Sequence, residues 1–323
     1  MSSIKFVCAA LLGVAMSTSC FAAGYPDRPV TVIVPFPAGG ASDSAARFIT
    51  PKMSEVLGQP VVVDNKPGAN GGTGAQQMAK SPADGYTLLV GSIGVFAINP
   101  ALYPNLAYSP QKDFDLLTVA VRTPNVLVAT PNFPANSVKE LIDYMKKNPN
   151  KVTFASSGIG SSDHLTAALF WQKTGTQGVH VPYKGGGPAI NDLMGGHADV
   201  SFQNLGSVAN QIRAGKLKLL AVTAADRASV FPDTPTMKEA GVPGLEVYSW
   251  QAAAGPKGLP ADVKAKLEAA LMTALRDPEV KKKFNDIGFE VVANSPKEFA
   301  AFQAEQQAMW KQVIDEGKIT PTE

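Results

Sequence analysis

The sequence predicts an α/β protein with two lobes, each built around a mainly parallel sheet. Short β-rich runs alternate with amphipathic helical patterns along the chain, which is typical of strands connected by helices. Three predicted strands end in glycine-rich turns that lead into helices, and these turns fall in two separate blocks of the chain. Ligands of open parallel sheets bind beyond the carboxyl ends of the strands, so two such blocks facing each other would enclose a cleft.

The first block opens with the apolar strand Val30–Val34, which Pro35 ends. A turn of small residues then leads to Ser42 and Asp43, which stand where a helix should begin. Free backbone N–H groups and the helix dipole favour an anion at such a place. The predicted helix has one apolar face, made of Ala45, Phe48, Ile49, Met53, Val56 and Leu57.

The rest of the first block continues the alternation of strands and helices. Val61–Val63 is predicted as the next strand, and a glycine-rich loop over Asn65–Gly74 precedes a short helix that runs through Met78. A further strand over Tyr86–Val90 leads into a loop at Gly91–Gly94.

A second block of the same kind begins near Thr118. Ser137–Glu140 has the sequence of a capping box and predicts the start of a helix. The strand Val152–Ala155 leads through the loop 156–162 into a helix that bears His164, which repeats the opening pattern. Further strands are predicted over Val179–Tyr183, Ala198–Phe202 and Leu217–Val222.

The C-terminal third is more helical than the rest of the chain. The spacing of apolar residues predicts a helix over Pro260–Arg276. Ser295–Glu298 is a second capping box, with proline at the first helical position, and opens the last helix. Trp250 ends an apolar strand, and we expect it to pack in a core or at a hinge.

Residues 1–22 have the features of a secretory signal peptide, removed near Ala22. The apolar run Phe6–Met16 is too short to span a bilayer. The alternatives are a buried N-terminal helix, or a lipoprotein site at Cys20 that lacks the usual aliphatic residue upstream. Both cysteines, Cys8 and Cys20, fall inside this segment, so the mature chain would have no thiol to act as nucleophile or metal ligand.

Composition and motifs exclude several classes of function. The near-neutral net charge of +2 argues against a nucleic-acid partner, which would require a clustered basic face. The sequence has no Gly-x-Ser-x-Gly elbow and no phosphate-binding loop with its lysine. No pair among His164, His180 and His197 has the spacing of metal ligands, and Asp163 replaces the third glycine of a dinucleotide-binding pattern. We therefore expect no catalytic residue, no metal and no cofactor.

Several side chains at the glycine turns have two possible roles. Asp43 either complements the helix dipole and orders its turn, or accepts a hydrogen bond from a ligand amine. His164 is either structural or a donor to a ligand carboxylate. Ser42, Ser157 and Ser161 either cap helices or offer hydroxyl groups to an anion.

In the second block, Tyr183 and Lys184 lie where a predicted strand ends, directly before the glycine turn at 185–187. A phenol and an amide N–H at Tyr183 could face the cleft, whereas a strand end followed by a solvated lysine is the structural alternative. We favour a cleft-facing role for Tyr183 more than for Lys184.

Six long motifs occur in order along the chain. They are YPDRPVTVIVPFPAGGASD, VVVDNKPGANGGTGA, SPADGYTLLVGS, FASSGIGSSDHL, HVPYKGGGPAINDLMGGHADVSF and AVTAADRASVFPDTPTMKEAG. Together with the signal peptide they resemble the Bug-type substrate-binding receptors of tripartite tricarboxylate transporters, over a range from about Tyr25 to Glu316.

The resemblance implies a two-lobed periplasmic binding protein of type II, a Venus-flytrap with a two-strand hinge. One lobe would be discontinuous, with residues 23–121 and 225–323, and the other would span 122–224. The crossings between them would fall near Val121–Pro124 and Val222–Asp226.

The resemblance also implies a ligand and the residues that bind it. Family members bind small carboxylates or similar molecules and work with membrane permease subunits. The residues that match ligand-facing positions are Phe36, Gly40, Ala41, Ser42, Asp43, Ser92, Ile93, Ser157, Gly158, Gly160, Ser161, His164, Tyr183, Lys184, Gly185, Phe202 and Asn204.

We therefore expect a monomeric periplasmic receptor that captures a small organic acid, namely a dicarboxylate, an aromatic acid or an amino acid. Apart from Arg47, arginine is absent near the turns, which disfavours a tricarboxylate, while Phe36, Phe96 and Phe202 leave room for an aromatic acid. The alternatives are a secreted enzyme that acts on an organic acid in the same cleft, or a sensor that signals to a membrane kinase. The enzyme would have only Asp43 or His164 near the turns as its base.

Overall fold

The structure, a computed structural model, describes residues 24–321, and the predicted signal peptide at residues 1–22 lies outside them. Within this range ten strands form one continuous sheet. The strands are β1 (Val30–Val34), β2 (Val61–Asn65), β3 (Thr87–Ser92), β4 (Phe114–Ala129), β5 (Thr153–Ser156), β6 (Val179–Pro182), β7 (Val200–Asn204), β8 (Lys218–Val222), β9 (Tyr248–Pro256) and β10 (Glu290–Val291).

Helices connect these strands and cover their faces. Two short helical turns, Ala69–Gly71 and Gly94–Ile98, add to them. The α-helices are α1 (Ala41–Leu57), α2 (Gly72–Ala79), α3 (Asn99–Leu102), α4 (Pro110–Asp113), α5 (Val138–Lys147), α6 (Ser162–Thr174), α7 (Gly186–Gly195), α8 (Leu205–Arg213), α9 (Ala261–Arg276), α10 (Pro278–Asp286) and α11 (Pro296–Gly317).

One long strand, β4, belongs to both halves of the sheet. Its first part, up to Pro124, pairs with β9, and its second part, from Asn125 onwards, pairs with β7 and β8. The chain returns beside this point, where the Val247 amide donates to the Thr223 carbonyl at 3.0 Å before β9 begins at Tyr248. Two neighbouring chain segments therefore join the lobes, as predicted for a two-strand hinge.

The sheet is mixed, with parallel groups at both ends. In the first lobe β1 pairs in parallel with β2 and β3, and in the second lobe β5 pairs in parallel with β6 and β7. Antiparallel pairs are made by the crossing strands β4 and β9 and by the short β10. The predicted parallel groups are present, and the antiparallel pairs arise because the chain passes from one lobe to the other and back.

Each lobe has an apolar core against its sheet. In the first lobe Val32, Ile49 and Leu267 share one cluster. In the second lobe Phe154 and Phe202 pack together in another. The later segment 237–245 also packs into this second-lobe core, through Met237, Val242 and Leu245. This segment, which follows the crossing expected near 222–226, therefore packs with the second lobe.

The two predicted capping boxes differ in how completely they form. Ser295 and Glu298 form the predicted capping box at the start of α11. At α5 the Ser137 hydroxyl accepts from the Glu140 amide at 3.2 Å, but the Glu140 carboxylate accepts from the Asn136 amide instead of that of Ser137. The predicted box at Ser137–Glu140 is therefore half formed, because the Glu140 carboxylate bonds one residue before Ser137.

Trp250 packs in an aromatic cluster of the first lobe. It is fully buried, and its ring centroid lies 5.8 Å from those of Phe96 and Phe299 and 5.3 Å from that of Phe302. The prediction of a core role is confirmed. The indole N–H donates to the Gln306 side-chain carbonyl at 3.3 Å, which satisfies its polar atom.

We predict that Trp250→Ala lowers the free energy of unfolding by about 3–5 kcal/mol, because it leaves a cavity between three rings. Urea denaturation followed by circular dichroism measures this loss. Trp250→Phe keeps a ring in the cluster and should lose less than half as much. A loss below about 1 kcal/mol for the alanine variant would contradict the tight packing described here.

Candidate binding cleft

A small space of about 50 Å³, lined mostly by polar residues, lies between the lobes, and we call it the inner cleft. The first lobe contributes loop, helix-start and β9 residues, and the second lobe contributes mainly the starts of helices. The lining residues are Phe36, Pro37, Gly40, Ala41, Ser42, Asn70, Ser92, Ser249 and Gln251 from the first lobe, and Ser157, Ser161, Ser162, Asp163, Gly186, Gln203, Asn204 and Ser207 from the second.

Four helices begin at the inner cleft. They are α1 in the first lobe and α6, α7 and α8 in the second, each of which follows the carboxyl end of a strand. The first amides of a helix have no acceptor within it, and the helix dipole adds positive potential there. Among the lining residues of the described chain none is Lys, Arg or His, so backbone and neutral side chains alone make the site attractive to an anion.

Asp43 orders the first-lobe turn. Its carboxylate accepts hydrogen bonds from the Gly39 amide, Arg47 Nε and Asn65 Nδ2, each at 3.0 Å. Burial alone would raise the pKa of Asp43, but these hydrogen bonds and the Arg47 charge outweigh it and lower the pKa. Both carboxylate oxygens accept hydrogen bonds within the first lobe. This arrangement agrees with the structural role considered for Asp43, in which it orders its turn, and not with a contact to a ligand amine.

Asp163 has the corresponding place in the second lobe, in the first turn of α6. Its Oδ2 atom accepts from the Ser157 amide at 2.6 Å, from the Ser157 hydroxyl at 2.7 Å and from Gln203 Nε2 at 3.3 Å. Burial raises the pKa of Asp163, against the opposing effect of these neutral donors. Burial therefore disfavours the charged form of the carboxyl group that lines the inner cleft.

The loop before α6 is held from behind by two histidines. His164 Nδ1 accepts from the Gly160 amide at 3.1 Å, and the ring stacks on His180 with centroids 3.8 Å apart. Burial lowers the pKa of His164 to about 3 and that of His180 to about 4. The two rings line a hollow beside Trp171 on the far side of the loop, so His164 supports the cleft from outside it.

Contacts between the lobes beside the inner cleft include those of Asn70 and Gly185. Asn70 Nδ2 in the first lobe donates to the Gly160 carbonyl in the second at 2.7 Å, and also to Asn99 Oδ1 at 2.9 Å. At Gly185 an added Cβ atom would lie 2.8 Å from the Pro37 ring across the cleft, so only glycine permits this approach.

A larger hollow of about 570 Å³ adjoins the inner cleft and shares Phe36, Pro37, Asn70 and Ser157 with it. We call it the vestibule. Its remaining walls are mostly apolar, with Lys184 as an exposed charge. They are made of Pro35, Pro67, Gly68, Ala69, Gly71, Tyr103, Gly158, Ile159, Pro182, Tyr183, Lys184 and Gly185.

Most of the predicted site residues lie at these two spaces. The inner cleft contains Phe36, Gly40, Ala41, Ser42, Ser92, Ser157, Ser161 and Asn204. The vestibule contains Gly158, Tyr183, Lys184 and Gly185.

Tyr183 and Ser161 are also bonded inside their own lobe. The Tyr183 hydroxyl donates to Asp192 at 2.7 Å and its amide donates to the Ser156 carbonyl, so its ring is the part that borders the vestibule. Burial, together with Asp192, raises the pKa of Tyr183 to about 12. Ser161 caps α6 by accepting from the His164 amide.

Five predicted residues do not line the inner cleft or the vestibule. Asp43 and His164 accept from amides of the loops within their own lobes, and Gly160 lies at the contact with Asn70. Ile93 and Phe202 are buried in the cores of the first and second lobe. Phe96, proposed to leave room for an aromatic ligand, is also a core residue. Side chains alternate along a strand, so Phe202 points into the core while its neighbour Gln203 reaches the cleft.

Sequence reasoning missed several lining residues, chiefly Asn70, Asp163, Gln203, Ser249 and Gln251. Gln251 carried a signal, because it stands between Trp250 and the apolar run Ala252–Ala254, where a buried amide needs a partner. Asp163 was noted only as a departure from a dinucleotide-binding pattern.

Residues 24–321 contain no group of three or more His, Cys, Asp or Glu side chains that could hold a metal ion. Nor does any helix in this range combine the length and apolarity that crossing a bilayer requires.

Two lobes joined by two crossing segments, with helix starts from both around one polar cleft, define a two-lobed solute-binding protein. Residues 45–319 match the sequence profile of the tripartite tricarboxylate transporter family receptor, and the chain belongs to this family. The predicted family is confirmed.

Individual relatives agree with this assignment. BugT of Bordetella pertussis is 37% identical over 313 residues, which are 95% of this chain and 96% of BugT. A solved R. palustris protein with adipate is 36% identical with a TM-score of 0.89, over 92% of this chain and 99% of that one. MatC from Rhodopseudomonas palustris with bound malate is 34% identical with a TM-score of 0.86, over 90% of this chain and 100% of MatC.

We predict that acid destabilises the protein through His164 and His180. The unfolded histidines titrate near pH 6.5 and the folded ones at about 3 and 4, so the unfolded chain binds more protons between these values. Stability is therefore highest above pH 6.5 and falls as the pH drops towards 4. Thermal denaturation at pH 7 and pH 5 measures the change in melting temperature.

Matched variants separate this effect from others. The double variant His164→Asn with His180→Gln keeps hydrogen-bonding atoms but cannot titrate, and should lose most of the difference between pH 7 and pH 5. The control His197→Gln replaces an exposed histidine, and this variant should keep the stability difference between pH 7 and pH 5. An unchanged pH dependence in the double variant would contradict the prediction.

We also predict that Asn70→Gly favours an open arrangement of the lobes. Asn70 has a φ of 48°, which glycine adopts without strain, so the change removes the side-chain bond to Gly160 while keeping the backbone. Small-angle X-ray scattering should show a larger radius of gyration. Asn150→Gly is the control, because Asn150 has a φ of 55° and lies exposed outside the cleft. Equal radii for both variants would speak against Asn70 as a closing contact.

Proposed function

We propose that this chain is a periplasmic receptor that holds a small carboxylate between its lobes and delivers it to the membrane subunits of a tripartite transporter. The observation that carries the proposal is the convergence of four helix starts on a cleft whose lining includes no cationic side chain in the described chain. The relatives solved with adipate and with malate support a carboxylate as the ligand. The predicted signal peptide, to be removed near Ala22, supports export to the periplasm.

Neutral groups can supply the affinity that such a receptor needs. A helix start stabilises a carboxylate by about 0.3–1 kcal/mol when exposed and up to about 2 kcal/mol when partly buried. Hydrogen bonds to a charged group contribute about 1.5–3 kcal/mol each. Two helix starts and several such bonds reach the roughly −8 kcal/mol of micromolar binding after the costs of association.

The two adjoining spaces favour a ligand with a carboxylate and an apolar body. The inner cleft, at about 50 Å³, has room for a few water-sized groups, at roughly 10–15 Å³ each. The vestibule is about ten times larger, with Phe36, Ile159, Tyr103 and Tyr183 in its walls. We propose that the carboxylate binds in the inner cleft and that an aromatic or aliphatic body extends into the vestibule.

The residues that line the two spaces are the proposed ligand contacts, with Asp43, Gly160 and His164 as supports. We also propose that the first lobe comprises residues 24–124 and 248–321 and the second 125–247, because β4 changes partners after Pro124 and the segment 237–245 packs in the second lobe. A monomer remains our expectation.

We propose binding without catalysis. The two bases considered for an enzyme are both bonded within their lobes, since Asp43 pairs with Arg47 and His164 accepts from Gly160. Neither lines the inner cleft. Recovery of a bound acid in unaltered form after incubation would support this view, whereas a chemically changed acid would favour the enzyme.

We predict that carboxylates raise the melting temperature of the purified protein, because they bind the folded state. Thermal-shift measurements should compare malate, adipate, benzoate and phenylacetate in a buffer without organic acids. The acids with an apolar body should give larger shifts than malate. Benzyl alcohol and 2-phenylethanol, which lack the carboxylate, are the matched controls. Absence of a shift with every acid in a broad panel would overturn the proposed function.

A further inference from the structure

One buried donor in the inner cleft has no acceptor. Gln251 on β9 is fully buried, and its Oε1 atom accepts from the Ser42 hydroxyl at 2.6 Å. Its Nε2 atom has no hydrogen-bond partner anywhere in residues 24–321. The indole nitrogens of Trp171 and Trp310 are the other buried side-chain atoms in this condition, but neither residue lines the inner cleft.

The hydroxyl of Ser42 determines which way the Gln251 amide faces. Because Ser42 donates to the carbonyl oxygen, the NH₂ group is directed away from that hydroxyl. Ser42 lies in the first turn of α1, so the amide stands beside the free backbone N–H groups of that helix start. The donors of Gln251 and those of α1 can therefore serve the same acceptor.

Other buried glutamines show what a structural role requires. Gln203 also lines the inner cleft, but its Nε2 donates to the Ser201 hydroxyl at 2.8 Å and to Asp163 at 3.3 Å. Gln303 in the first-lobe core donates to the Phe96 carbonyl at 2.9 Å. A buried donor left without an acceptor destabilises a fold, so Gln251 has no comparable structural use for its NH₂ group.

We propose that Gln251 is a specificity-determining residue that donates from Nε2 to the ligand carboxylate bound at the start of α1. Ser42 is the positioning residue, since its hydroxyl holds the amide in the required orientation. The inference rests on the proposed function and assigns the carboxylate to the first-lobe side of the inner cleft. Phe36 lines both the inner cleft and the vestibule, so the rest of the ligand would pass beside it from the carboxylate into the vestibule.

The test compares two isosteric variants by calorimetry and thermal denaturation, with adipate, malate and the panel acid of largest thermal shift as probes. Gln251→Met removes the amide and should weaken binding of the tightest probe about 10- to 100-fold. Stability without the probe should stay equal or rise, because an unsatisfied donor is lost. Gln303→Met removes a satisfied amide outside the cleft, and it should lower stability while leaving the affinity unchanged.

A double-mutant cycle tests the positioning role. Ser42→Ala should weaken binding less than Gln251→Met does, because the amide remains but is free to rotate. The double variant should bind no more weakly than Gln251→Met alone, since Ser42 acts through Gln251. A stepwise, additive loss would show that Ser42 contacts the acid independently and would overturn its role as a positioning residue.

The outcomes distinguish this inference from the function on which it rests. If Gln251→Met binds the probes as tightly as the wild type, the inference is wrong while the carboxylate receptor stands. If Gln251→Met unfolds more readily and binds equally per folded molecule, Gln251 is structural and the inference is again wrong. If no acid binds the wild type, the proposed function fails and this inference fails with it.

Discussion

The helix starts at the inner cleft impose the main physical constraint on this molecule. Each of α1, α6, α7 and α8 begins there, and the first amides of a helix lack acceptors within it. Four sets of such donors around one small space need acceptors from elsewhere. Asp43 and Asp163 hold the loops before these helices, and Ser42 orients Gln251, so these groups fix where the donors lie.

The two lobes stabilise their loops with an aspartate in different ways. The negative charge of Asp43 is paired with the Arg47 guanidinium, whereas the donors that bond to Asp163 are the neutral groups of Ser157 and Gln203. The first-lobe carboxylate lies behind the loop, and the second-lobe carboxyl lines the cleft, where burial raises its pKa. The charge-paired carboxylate of Asp43 thus lies outside the cleft. Inside the cleft, burial disfavours the charged form of Asp163.

Elements with local signals were predictable, and those that depend on distant pairing were not. β1 was predicted to its exact ends, because an apolar run is cut off by Pro35. The glycine turns are also local sequence features, and they allowed Gly40, Ser42 and Ser157 to be predicted at the cleft. The paired residues of the sixteen-residue strand β4 have partners more than seventy positions away, so the crossing between lobes left no local pattern. Gln251 reaches the cleft through that pairing, and Phe202 turned out to face a core.

The absence of a cation among the lining residues of the described chain links binding to closure. A single fixed cation on one lobe would attract an anion whether or not the other lobe was near. Here the donors are divided, with α1 and Gln251 on one lobe and α6, α7 and α8 on the other. The full set surrounds a ligand only when the lobes approach, as they do at Asn70 and Gly160. An anion bound by both sets stabilises the closed form by the difference in its affinity for the two arrangements. The same division makes the complementarity of neutral donors, rather than net charge, the basis for selecting one acid over another.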